Sequence, residues 1–386
     1  MRNYLQSQVF LTGLAVFAMF FGAGNLVYPI LVGMKSGSHN LLGMCSFILT
    51  AVILPVIGLV AMLMFDGNYK QFFGRLGKWS GEIAILICML IIGPVIAIPR
   101  ITILSHTMLA PFIPEMSNLV FALLFFTLTY LCVFRENKIV GLLGKVFSPA
   151  KLVALAIIII WGIWTATSYV PTDLTNWQIF KASILTGYGT LDLLGAIFFS
   201  AIVINLLKID NSDRKVAMRD LVKVGLKAGL IGAGLLTIVY FGLSYLSAFH
   251  SHGLVGVDPD VLFRELSFKV LGFYGAAVIG VVVMMGSLST AIALTAVLAE
   301  YLQHDILRNK ISFAKSAVLV LLACVPLSIY GFDMVMALTG GPIVYIGYPM
   351  LIALTFANIA YKWFGFKPVK VPVLLTGIIT LLSYLA

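Results

Sequence analysis

Eleven runs of mostly apolar residues divide this chain from end to end, and they leave few folds open to it. They cover about 9–33, 41–64, 82–109, 117–134, 150–168, 185–207, 224–247, 268–301, 314–331, 334–361 and 371–386. A run of roughly 20 apolar residues crosses the hydrocarbon core as a helix, because only a helix satisfies every backbone N–H and C=O within the segment. Of the 386 residues, 61% are hydrophobic and 10% charged, far below the roughly 25% charge of a soluble domain. The expected fold is an all-α integral membrane protein with about eleven transmembrane helices, numbered here as spans 1 to 11 in the order given.

The net charge of +10 reflects orientation in the membrane and not nucleic-acid binding, because the basic residues fall between the spans. Assigning the loops alternately to the two faces puts twenty Lys and Arg on one side, among them Arg135, Lys138 and Lys145 before span 5 and Lys151 at its start. The other side has Lys35, Lys181, Arg264 and Lys269, and Arg100 lies within span 3. This asymmetry predicts a cytoplasmic N-terminus and an outside C-terminus. Cys45, Cys88, Cys132 and Cys324 lie inside apolar runs without CxxC spacing, so they read as small buried hydrophobes and not as a disulfide or zinc framework. The five histidines form no HxxxH pattern, which leaves a metal enzyme without support. The first run is too long for the apolar region of a signal peptide and is kept as a span.

Span 1 carries Phe20-Phe21-Gly22-Ala23-Gly24-Asn25 near its middle, and span 6 opens on Leu185-Thr186-Gly187-Tyr188-Gly189-Thr190-Leu191-Asp192. Five spans separate these two Gly-x-Gly segments, so the copies run in opposite directions. That is the mark of an inverted 5+5 repeat with discontinuous helices 1 and 6: one repeat over about 9–168, a second over about 185–361, and an extra helix over about 371–386. Unwound backbone is costly in lipid and survives where it is shielded or lines a cavity. There, half-helix N-termini offer N–H groups to a carboxylate, and C-terminal ends offer carbonyls to a cation. Close helix packing is the competing explanation of the glycines.

Span 8 contains Met285-Gly286-Ser287-Leu288-Ser289-Thr290-Ala291. Its hydroxyls suit a monovalent cation, or they bond back to the carbonyl four residues earlier. Asp192 reads as a proton or cation contact, or as a first-turn acid behind a Thr190 cap. Arg100 follows Pro94 and Pro99, and Pro99 frees a carbonyl. The arginine either satisfies freed carbonyls or pairs with Asp192. Gly340-Gly341-Pro342 marks a further kink or gate in span 10.

The segments FFGAGNLVYP, GPVIAIPR, GYGTLDLLGAIFF and GSLSTAIALTAVLAEYL resemble, in order and placement, those of the bacterial branched-chain amino acid:cation symporters, which have the leucine-transporter fold. The resemblance covers nearly the whole chain. It implies a Na⁺ site made by Ala18 and Phe21 of span 1 with Gly286, Ser289 and Thr290 of span 8. It also implies a substrate site between Gly22, Ala23, Gly24 and Asn25 and Gly187, Tyr188, Gly189 and Thr190, with Ile101 and Phe198 facing the apolar side chain. Members of the family usually carry a Thr after the IPR, where this chain has Ile101, and twelve spans where eleven are read here.

The expectation is therefore a multi-pass transporter of the bacterial cytoplasmic membrane that imports leucine, isoleucine and valine with Na⁺ by alternating access. Spans 1, 2, 6 and 7 are expected to rock against 3, 4, 8 and 9. Its partners are the amino acid and the bilayer; no organic cofactor or nucleic acid is expected, and the sequence leaves the oligomeric state open. The alternatives are proton coupling, for which Asp192 and His106 are candidates, or a broader apolar range. An ion channel fits two unlike broken helices less well, and a membrane enzyme lacks a nucleophile, metal or acid pair.

Overall fold

The computed structural model describes residues 2–22, 24–113, 115–133, 148–210, 218–254 and 256–385. Among these residues every element is helical, and helices answer to all eleven apolar runs. Six helical stretches are long and apolar enough to cross a membrane, and five shorter apolar helices accompany them. Large apolar side chains such as Leu123, Leu131, Ile157, Leu374 and Leu382 remain exposed on the outside of the bundle. In lipid that is the favourable placement, because the surrounding tails are as apolar as the core.

Two spans are interrupted near their middles. Span 1 is helical over Arg2–Phe20 and again over Gly24–Ser36. Span 6 is helical over Asn176–Tyr188 and over Asp192–Asp210. This corrects the expected start of span 6 at residue 185: the helix begins nine residues earlier, and Gly187-Tyr188-Gly189 lies at the centre. The earlier start is fixed by a capping box, in which Thr175 Oγ1 accepts from the Gln178 amide while Gln178 Oε1 accepts from the Thr175 amide.

Kinks occur where glycine or proline removes the helical constraint. Gly93 before Pro94 leaves helical geometry in span 3, and Gly341 before Pro342 does so in span 10, each within a widened stretch. The helix Pro259–Tyr301 turns at Gly272, whose φ of 67° favours glycine. The turn separates a short outer helix from span 8 proper.

The helices sort into two packed groups. Both halves of span 1 lie along span 7 (Met218–His250), and both halves of span 6 lie along span 2. Spans 3, 4 and 9 pack on span 8 and on one another, and span 5 (Ser148–Trp164) lies between span 8 and span 7. Span 11 (Lys370–Leu385) packs on span 10 at the edge. On one face, Lys70 forms an ion pair with Asp305, and the Tyr69 hydroxyl donates to Asp305 Oδ2 at 2.6 Å. Burial and the adjacent carboxylate push the Tyr69 phenol above its ordinary range. These bonds tie the loop after span 2 to the end of span 8. Cys88 and Cys324 are buried, while Cys132 is half-buried and Cys45 is exposed on the apolar outer surface, neither fully buried as expected.

Span 1 and span 7 approach closely because Gly33 lacks a side chain: a Cβ there would collide with the Ser244 carbonyl. Gly33→Ala is expected to destabilise the protein by about 1–3 kcal/mol through overpacking. Gly234→Ala, in open space on span 7, should be neutral or stabilising by up to about 1 kcal/mol. Thermal melts in detergent of the two variants check this.

Candidate functional site

The breaks create a supply of unpaired backbone groups, and the site is the set of side chains that answer them. At the end of the first half of span 1, the Gly22 amide turns back to the Phe20 carbonyl (3.0 Å) and the Asn25 amide to the Gly22 carbonyl (3.1 Å). The carbonyls of Ala18, Met19 and Phe21 point instead toward spans 8 and 5. Thr290 Oγ1 donates to Met19 O at 3.2 Å, and Ser289 Oγ lies 3.0 Å from Ala18 O and 2.7 Å from Gly286 O. Their neighbour Ser287 bonds back to Val283 four residues earlier. Ser289 and Thr290 therefore reach across to carbonyls of span 1, and Ser289 also bonds back within its own helix to Gly286.

The ion expected among these oxygens meets a side chain. Lys151, on the first turn of span 5, extends into the site and is 1% exposed. Its Nζ donates to Ala18 O (3.2 Å), Phe21 O (3.1 Å) and Ser289 Oγ (3.0 Å). The rings of Phe17 and Phe21 flank it, with their centroids 5.6 and 5.9 Å away. Gly286 leaves room for the chain, since a Cβ there would lie 3.3 Å from Lys151 Cδ. As they stand, the residues do not fit a bound Na⁺, because an ammonium holds the position where the ligands converge. Lys151 was counted among the loop cations; the structure buries it.

At the other break, Arg100 caps backbone carbonyls, as one of its two expected roles required, but those of span 6 and not the one freed by Pro99. Its Nη1 donates to Gly189 O (2.8 Å) and Tyr28 Oη (2.9 Å), and its Nη2 to Thr190 O (3.3 Å). It caps the carbonyls freed in span 6 and forms no ion pair with Asp192. The guanidinium lies across Gly24, where a Cβ would stand 2.9 Å from Nε. Nε itself is buried without a hydrogen-bond partner among the described residues. Gly189 likewise admits the ring of Tyr28, which a Cβ would approach to 2.8 Å.

The second half of span 6 begins with Thr190 and Asp192. Thr190 Oγ1 donates to Gly187 O (2.9 Å) and accepts from the Asp192 amide (3.4 Å), so Asp192 is a first-turn acid behind a threonine cap. Its carboxylate also accepts from Asn25 Nδ2 at 2.9 and 2.8 Å, and Asn25 Nδ2 reaches Tyr240 Oη at 2.7 Å. All three are buried. They lock span 1 to spans 6 and 7 and leave Asn25 committed to this network. Tyr348 of span 10 completes the end, its hydroxyl accepting from the Leu193 amide at 3.0 Å.

The structure thus brings Gly24, Gly189 and Thr190 around Arg100, with Ile101 buried next to it, while Gly22 lies against Thr290 of span 8. Ala23 lies outside the described residues. Gly187 faces span 2, where a Cβ would collide with Thr50 Oγ1, and so serves packing. Tyr188 packs on Tyr348 (5.0 Å between centroids). Phe198 lies away from the breaks, against Phe73 and Tyr69 of the short helix Tyr69–Gly74. His106 sits at the far end of span 3 and contacts Asn118. Lys151, Tyr240 and Tyr348 were missed. The nearest sequence signal was Ser148, three residues before Lys151 on the same helical face, whose hydroxyl donates to Leu14 O at 2.6 Å.

Solved structures share this fold. An inward-facing structure of Mhp1 superimposes with a TM-score of 0.63 at 11% identity, over 96% of this chain and 88% of that one. The MhsT complex with L-phenylalanine gives 0.59 at 15% identity over 97% and 98%. The fold is the leucine-transporter fold, a 5+5 inverted repeat with discontinuous helices 1 and 6, and the class is that of multi-pass membrane proteins. The model of the family described as "Branched-chain amino acid transport protein" matches residues 5–386, and the chain belongs to that family. The chain is 33% identical to the branched-chain amino acid permease BraB of Bacillus subtilis over 299 residues, 75% of this chain and 66% of that protein. It is 31% identical to the permease BrnQ of the same organism over 325 residues, 81% and 72% respectively.

Arg100→Met removes the cap on two buried carbonyls. A loss of roughly 2–4 kcal/mol is expected, since both are left unsatisfied and charge-assisted bonds are lost. Chemical denaturation in mixed micelles, compared with Tyr240→Phe at about 1 kcal/mol, measures it.

Proposed function

We propose that this protein carries leucine, isoleucine and valine across the membrane by alternating access, binding the amino acid between the two helix breaks. The observation that carries this reading is the buried Arg100 Nε, a positive donor without a partner, lying against Gly24 at the start of the second half of span 1. A carboxylate there meets a charge-assisted donor and the free N–H end of a half-helix. The absent side chain at Gly24 allows the approach. Ile101, buried next to Arg100, suits an aliphatic side chain that carries no polar group of its own. The two packed helix groups meet at this point, so closing one entrance and opening the other moves one group over the other. The relatives' names, branched-chain amino acid permeases, support the substrate class.

Counterflow in proteoliposomes loaded with unlabelled leucine tests it. Labelled leucine should accumulate transiently, isoleucine and valine should compete, and 3-methylbutylamine, which lacks the carboxylate, should not. Gly24→Ala, which pushes a methyl group into Arg100, should lower uptake by about tenfold or more. Equal competition by the amine would remove the role given to Arg100 and Gly24, and absent counterflow would overturn the transport reading.

A further inference from the structure

We infer that the Lys151 ammonium is the cation of the site between spans 1 and 8, built into the chain, and that transport by this protein does not use Na⁺. The inference rests on the transport reading and concerns how that cycle is driven.

Three features carry it. First, an ammonium has three N–H donors and no acceptor, and Nζ has three acceptors, Ala18 O, Phe21 O and Ser289 Oγ, at 3.0–3.2 Å. A metal ion would require the same lone pairs to converge on it, so the two occupants exclude each other, and like charges at that separation repel strongly. Second, the placement is built. Ser148 anchors the start of span 5 to Leu14 O, Gly286 clears the path for the lysine stem, and Phe17 and Phe21 enclose the head. Third, no carboxylate among the described residues lies within hydrogen-bonding reach of Nζ. The charge is held by the carbonyl end of a half-helix, which favours a cation of either kind. A link between spans 1 and 8 that a bound ion would make and release each cycle is here a permanent part of span 5.

The test uses the full chain in two measurements. In detergent, NaCl in place of choline chloride should leave the Tm of the wild type unchanged. Lys151→Ala, which frees the oxygens of Ala18, Phe21 and Ser289, should gain roughly 2–4 °C in sodium. Lys151→Met, which fills the space with an apolar chain, should gain nothing. In proteoliposomes, leucine counterflow by the wild type should be indifferent to sodium, and that of Lys151→Ala should be stimulated about fivefold or more. A sodium-dependent rise of Tm or of uptake in the wild type overturns the inference, because the ion then displaces the lysine. Lys151→Ala that folds yet ignores sodium overturns it as well. If Lys151→Ala does not fold, the wild-type arm still decides. If wild-type counterflow is absent altogether, the transport reading fails, while the melting comparison still reports on Lys151.

Discussion

A bilayer offers no hydrogen bonds, so each backbone group released by a broken helix must find a partner inside the protein. Most of the polar chemistry of this molecule follows from that demand. The carbonyls at the end of the first half of span 1 are met by Thr290, Ser289 and Lys151. Those at the end of the first half of span 6 are met by Arg100, and the amides that open its second half are met by Thr190 and Tyr348. Five spans besides the broken ones contribute a partner, counting Asn25's contact with Tyr240. The breaks are therefore the points through which the bundle is joined.

These joints differ in kind between the two packed groups. Within the group of spans 1, 2, 6 and 7, Asn25, Asp192 and Tyr240 form a buried side-chain network. Such networks rigidify when they are fully satisfied. Between the groups, most of the polar contacts at the breaks are single side chains laid on backbone, Arg100 from span 3 on span 6 and Ser289 and Thr290 from span 8 on span 1, with the Arg100–Tyr28 bond beside them. Contacts of that kind re-form after a small rotation more readily than an interdigitated core does. The Tyr69 and Lys70 contacts with Asp305 add a polar fastening at one face.

The architecture was readable because it violates the simplest pattern. Glycines with an asparagine in the middle of an apolar run are anomalous in span 1, and the same anomaly five spans later gives the repeat. Carbonyl capping was one of two roles open to Arg100, and the carbonyls it meets are those of the break in span 6, not the one that Pro99 frees beside it. The start of span 6 was not read, because Asn176, Gln178 and Lys181 dilute its hydropathy while its capping box is a short-range signal. Tyr240 and Tyr348 look like any other aromatic residue of a span, and only three-dimensional packing shows their hydroxyls to be engaged. Lys151 was misread because a lysine near a span's end ordinarily snorkels to the interface. Nothing local distinguishes one that turns inward, apart from its face of the helix.

The lysine's attachment also changes what sets the occupancy of the site. A free ion fills a site according to its concentration in the medium, whereas a side chain on a fixed helix arrives at an effective concentration set by geometry. The oxygens of Ala18, Phe21 and Ser289 can then each contribute a weak contact and still hold their cation through the whole cycle. Under the inference drawn from Lys151, the joint between spans 1 and 8 is the same in dilute and in saline surroundings.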